Sequence, residues 1–201
     1  MSKKEQTKAK IKQAAYKCVA RYGFEKTTLD DIAREVGLNK ASLYYYYKNK
    51  EDIFLEITTE ATRQFLENLK TSTLAVEGGI EAQVRHFLLE RAAYYLKLIA
   101  EVHISEEALR QVEHLFWAQI KDVDAQERAF LAELLERAIA DKKMRQTDPA
   151  RLANNLILLS EGLKKSGKDR YPDAQDNNKI VQEIADNLDF MLEIVFNNDE
   201  R

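Results

Sequence analysis

Between Thr27 and Lys50 the chain sets out hydroxyl, amide and ammonium groups at helical spacing: Thr27, Thr28, Asn39, Lys40, Ala41, Ser42, Tyr44, Tyr45, Tyr46 and Lys50. Hydroxyls and ammonium groups bind phosphate oxygens, and lysine or asparagine donates to base edges in a DNA groove. Thr28, Tyr44, Tyr46 and Lys50 suit phosphates. Asn39, Lys40, Ser42 and Tyr45 suit bases, and Ala41 is small enough to let a helix approach the groove floor or touch a thymine methyl. Four consecutive tyrosines turn through about 300° of a helix, so they cannot share one environment. Tyr47, four residues after Leu43, is expected in the core.

Those groups need two short helices and a tight turn to hold them. Thr28 caps a helix with Asp31 three positions on, and Leu29, Ile32, Ala33 and Val36 point inward. Gly37 ends it, Asn39 caps the next helix, and Asn49 caps a long one that follows. Before them, Ile11, Ala14, Ala15, Cys18, Val19 and Tyr22 repeat at three- and four-residue spacing, which predicts a helix over about 5–22. Cys18 lies in that stripe and reads as a core residue. Further helical patterns fall at about 80–102, 105–121, 125–143, 149–166 and 176–196, with Asp148-Pro149 as a cap and first-turn proline. No segment alternates with period two. The expectation is an all-α protein of about nine helices: a helix-turn-helix domain over 1–49 and a ligand-binding and dimerisation domain over 50–201.

The net charge of -3 conceals an asymmetry. Residues 1–50 hold twelve basic and five acidic side chains, whereas the remainder holds nineteen and twenty-nine. A basic head on an acidic body suits a protein that meets phosphate at one end. No run approaches the roughly 20 apolar residues that cross a bilayer, and no apolar stretch follows the basic start, so a cytoplasmic protein is expected. One cysteine offers neither an internal disulfide nor a thiolate metal cluster, and no metal or cofactor is expected. His86, His103 and His114 are scattered, no glycine-rich phosphate loop follows a strand, and no nucleophile has a recognisable base, which argues against an enzyme.

Thr27-Thr28, Ile32-Ala33, Val36-Gly37-Leu38, Leu43-Tyr44-Tyr45-Tyr46-Tyr47 and Lys50-Glu51-Asp52-Ile53 together resemble the pattern of the TetR family of bacterial transcription regulators. The resemblance covers about a quarter of the chain. It implies that Thr28, Tyr44, Tyr46 and Lys50 take phosphate-contact positions and that Asn39 to Ser42 with Tyr45 face bases. Asn39 in place of the usual serine cap, and Tyr47 in place of phenylalanine, are departures. The resemblance further implies a homodimeric repressor of an inverted-repeat operator, released by a small, largely apolar effector. A DNA-bound structural or cell-division regulator that recruits a protein partner shares the same motif.

In the body, surplus apolar residues on the last two helices suggest a four-helix dimer interface: Leu152, Leu156, Leu159, Leu163, Ile184, Leu188, Met191 and Val195. Polar or aromatic residues within otherwise apolar helices, Phe87, Tyr94, Tyr95, His103, Trp117, Asn155 and Glu161, are candidates to line an effector pocket. Glu161, within an apolar run, requires a partner. Lys164, Lys165, Lys168 and Arg170 are expected in a solvated loop.

Overall fold

The structure, a computed structural model, describes residues 2–101, 114–172 and 177–196. All regular structure among the described residues is helical. The helices are α1 (Lys3–Tyr22), α2 (Leu29–Val36), α3 (Lys40–Tyr46), α4 (Lys50–Leu74) and α5 (Ile80–Glu101). They continue with α6 over 114–119, α7 (Lys121–Ala140), α8 (Pro149–Arg170) and α9 (Asn177–Phe196). The chain packs as two compact units, Met1–Arg63 with Leu98–Lys121, and Gln64–Lys97 with Asp122–Arg201.

In the first unit the caps set the helix boundaries. Ser2 and Glu5 form a reciprocal capping box that starts α1, a signal the periodicity alone passes over. Thr28 and Asp31 do the same for α2, and Gly37 closes that helix in the left-handed region at φ 74°. Asn39 accepts from the Ser42 amide and Asn49 from the Asp52 amide, so α3 and α4 begin as expected. The core is the α1 stripe of Ile11, Ala14, Ala15, Cys18 and Val19 against Phe24, Ile32, Ala33, Leu43, Tyr47, Ile53 and Phe54. Phe24 and Phe54 meet edge to face at 5.0 Å. Burial raises the Cys18 thiol pKa, as a core cysteine requires.

The second unit buries the apolar faces of α5, α7, α8 and α9, including Val84, Leu88, Leu131, Leu135, Ile157 and Ile180. Here α8 runs four residues further than expected, to Arg170, so Lys164, Lys165, Lys168 and Arg170 are helical and not in a loop. Gly167 does not break the helix because it is a packing residue: a Cβ there would lie 2.6 Å from Ile180 Cγ2. Gly167→Ala therefore lowers stability by about 1–2 kcal/mol in urea unfolding, overpacking outweighing alanine's better helix propensity. In an Ile180→Ala background the same change is neutral or stabilising, and an additive double variant would show that the two positions do not share space.

The dimer expectation needs correcting in register. Leu156, Ile184 and Leu188 are buried by the chain's own packing and have no surface to offer a partner. Leu152, Leu159, Leu163, Met191 and Val195 are half-buried. The large apolar side chains that α8 and α9 leave exposed among the described residues are Leu158, Phe190 and Ile194, the last two one turn apart on α9.

Candidate nucleic-acid interface

Two helices joined at a left-handed glycine make the site. The side chains of α2 and α3 that face inward, Ile32, Ala33 and Leu43, are buried, with Leu29, Val36 and Leu38 partly so. What α3 leaves outside is Asn39, Lys40, Ala41, Tyr44 and Tyr45, all exposed, with Ser42 and Tyr46 half-buried. Tyr45 is 72% exposed, against 47% for Tyr44. Its ring meets Tyr46 edge to face at 5.1 Å, and the Lys4 ammonium from the first turn of α1 stands 5.8 Å from its centroid. Tyr47 is buried, as its spacing from Leu43 requires, and burial pushes its hydroxyl pKa up.

The charged and hydroxyl groups are partly engaged within the domain. Lys40 Nζ bridges to Asp30 Oδ2 at 2.9 Å across the turn, and this hydrogen bond raises the lysine pKa. The Thr28 hydroxyl donates to Asp31 Oδ2 at 2.6 Å, the main cause of a lowered Asp31 pKa. To reach DNA, Lys40 and Thr28 must exchange these partners for phosphate or base atoms.

Two expected contacts are corrected. Thr27 is 1% exposed and its hydroxyl donates to the Gly23 carbonyl at 2.8 Å, so it closes the turn after α1 and does not face solvent. Lys50 turns inward: its ammonium donates to the carbonyls of Phe24, Glu25 and Thr27 at 2.8, 3.0 and 3.0 Å and lies over the Phe24 ring. All three of its N–H donors are thereby used, and the α1–α2 loop is fastened to the start of α4. Lys50→Met is expected to cost about 2 kcal/mol in urea unfolding, the scale of hydrogen bonds to a charged group. It should leave the salt dependence of duplex binding unchanged, whereas a slope lower by about one for each copy bound would put the ammonium on a phosphate.

The pocket candidates separate. Trp117 belongs to the first unit and Phe87, Tyr94, Tyr95, Asn155 and Glu161 to the second, while His103 lies outside the described residues. Phe87 packs on Phe130, Tyr94 stacks on Phe65 at 3.8 Å, and Asn155 is exposed and lines no part of the core. Glu161 has the partner its position demanded: Arg91 Nη2 donates to it at 2.8 Å. Arg91 is 1% exposed, and its Nε donates at 2.7 Å to Glu127, which is 0% exposed and also accepts from the Tyr95 hydroxyl at 3.1 Å. Burial alone would lower the Arg91 pKa, but the charge of Glu127 holds it above its ordinary value. Burial likewise raises that of Tyr95. Arg91 and Glu127 escaped the sequence reading because neither spacing nor composition distinguishes a buried charge from a solvated one. The absence of an apolar residue at two core-facing positions was the available signal.

Residues 11–57 match the family described as bacterial regulatory proteins, tetR family. Over 111 residues, 53% of this chain, the sequence is 31% identical to the biofilm operon icaADBC negative transcriptional regulator IcaR of Staphylococcus epidermidis. The chain spans 60% of that relative's length. Its fold resembles a transcriptional regulator from Cytophaga hutchinsonii, with a TM-score of 0.76, 21% identity and coverage of 92% of this chain and 96% of that one. It also resembles the regulator FadR from Bacillus subtilis in complex with stearoyl-CoA, with a TM-score of 0.59, 20% identity and coverage of 88% and 97%.

Proposed function

Since its N-terminal domain belongs to the tetR family of bacterial regulatory proteins, we propose that this chain is a transcriptional repressor, and not an enzyme, that binds DNA through residues 1–49. It acts as a homodimer on an inverted repeat, and a small, largely apolar effector bound within residues 50–201 releases it. The observation that carries the DNA reading is the α2–Gly37–α3 turn, which leaves Asn39, Lys40, Ala41, Tyr44 and Tyr45 exposed on one short helix. A helix-turn-helix of this form docks its second helix in the major groove, and two copies read half-sites about one helical turn, or a multiple of it, apart.

In this assignment Lys40 and Ser42 reach base edges and Tyr44 reaches a phosphate. Tyr46 is half-covered by core packing and can offer only its hydroxyl. Effector release requires a ligand that prefers the DNA-incompetent state, and a coupling of about 1–3 kcal/mol weakens operator binding several-fold to about a hundredfold. A long-chain acyl thioester is the first class to try, supported by the stearoyl-CoA complex of the similar fold.

The test is selection of duplexes from a random pool by the purified chain, followed by titration of the enriched sequence. An inverted repeat should emerge, and Lys40→Ala and Tyr44→Phe should each weaken it. Failure to enrich any duplex overturns the DNA reading, and unaltered affinity in both variants overturns the assignment of α3.

A further inference from the structure

Sorting the positive charge of the N-terminal domain by its partners points to a residue outside the helix-turn-helix. Of the twelve basic side chains in residues 1–50, Lys8, Lys12, Lys17, Arg21, Arg34 and Lys40 each reach a carboxylate of the same unit. Lys50 is held by three backbone carbonyls. Among the described residues, no carboxylate pairs with the exposed Lys3, Lys4, Lys10, Lys26 or Lys48. These five are the exposed cations of the head that no carboxylate offsets among the described residues.

Lys4 differs from the other four in where it is held. Its ammonium stands 5.8 Å from the centroid of the Tyr45 ring, on a residue 41 positions away and 72% exposed. An aromatic face attracts a cation without neutralising it. A carboxylate such as Asp30 cancels the charge of Lys40, but the Tyr45 ring restrains the long arm of Lys4 and leaves its full charge for an anion. The ring itself is buttressed by Tyr46 at 5.1 Å.

We infer that Lys4 is a phosphate-binding residue of the DNA interface and that Tyr45 is the residue that positions it. The inference rests on the DNA-docking reading above and adds α1 to the docking surface. Tyr45 then serves two ends: its edge is available to the groove while its face carries a cation to the backbone. Because phosphate contacts carry no sequence information, Lys4 contributes equally on specific and non-specific DNA.

The experiment measures binding of the full chain to its selected duplex and to a scrambled duplex over a range of salt concentrations. Wild type is compared with Lys4→Gln, Lys10→Gln, Tyr45→Phe, Tyr45→Leu and the Lys4→Gln/Tyr45→Leu pair. Lys4→Gln should lower the magnitude of the slope of log K against log salt by about one for each copy of the chain bound, about two for a dimer, on both duplexes. Lys10→Gln, an unpaired lysine of the same helix away from the ring, should leave it unchanged. Tyr45→Phe keeps the ring and the slope. Tyr45→Leu loses as much slope as Lys4→Gln, and the pair loses no more than either. An unchanged slope in Lys4→Gln, or an equal fall in Lys10→Gln, overturns the phosphate role of Lys4. A full slope in Tyr45→Leu overturns the positioning role of the ring. Wild type that retains neither duplex overturns the DNA reading itself, a result separable from the others.

Discussion

Replacing Arg91 with alanine is expected to destabilise the chain by about 3–5 kcal/mol, a large part of the roughly 5–15 kcal/mol that holds a typical domain together. The cost comes from what remains. Glu127 is 0% exposed, and without the guanidinium its carboxylate keeps, among the described residues, only the Tyr95 hydroxyl at 3.1 Å. Glu161, half-buried, loses its hydrogen bond at 2.8 Å as well. Lysine is no substitute, because Arg91 addresses two helices at once, Nε to Glu127 on α7 and Nη2 to Glu161 on α8. Removing both charges is a different matter: Arg91→Met with Glu127→Gln should recover most of the loss, since no uncompensated charge is then left buried. Urea unfolding of the three variants measures both effects. A loss below about 1 kcal/mol in Arg91→Ala would mean that the cluster is wetter than its burial indicates.

Phe190→Asp is expected to convert a dimer into a monomer at micromolar concentration and to weaken operator binding by about a hundredfold or more. Phe190 is 64% exposed, with Ile194 one turn further on and Leu158 exposed on α8. Burying a side chain of this size against a partner contributes about 1.5–3 kcal/mol per copy, and a two-fold axis doubles the effect. An aspartate in its place would have to be desolvated, which adds to the loss. The DNA effect follows because two half-sites are held far more tightly by linked reading heads than by separate ones. Sedimentation equilibrium and an operator titration decide the matter. A variant that remains dimeric places the interface elsewhere, and Leu188→Asp would not substitute for this test because Leu188 is 0% exposed and the chain would unfold.

Much of the N-terminal domain was legible in the sequence because it is governed by local rules. Thr28, Gly37, Asn39 and Asn49 act on backbone atoms within a few residues of themselves, and each does what its type predicts. Tyr47 was separated from its three neighbours by helical geometry alone. Lys50 was not legible, because the same type and position serve equally for a phosphate and for three carbonyls some 25 residues earlier in the chain. Only the fold shows which is nearer. Gly167 failed for a related reason: as punctuation it ends a helix, but as a neighbour of Ile180 it permits one to continue. On α9, apolar residues surround most of the helix, so the pattern identified burial without saying which side belongs to the chain itself. The Arg91 cluster joins residues 36 and 70 positions apart, a separation at which no sequence pattern operates.

The inward turn of Lys50 has a chemical consequence. An ammonium that donates to three carbonyls is shielded from a reagent that acylates amines. Lys50 should therefore be acylated far more slowly than Lys3, Lys4, Lys10, Lys26 and Lys48, which are exposed and lack such partners among the described residues. Peptide mass mapping after brief acylation would then use Lys50 as an internal reference. Its labelling reports opening of the fold, so protection of the other lysines on adding DNA can be attributed to coverage.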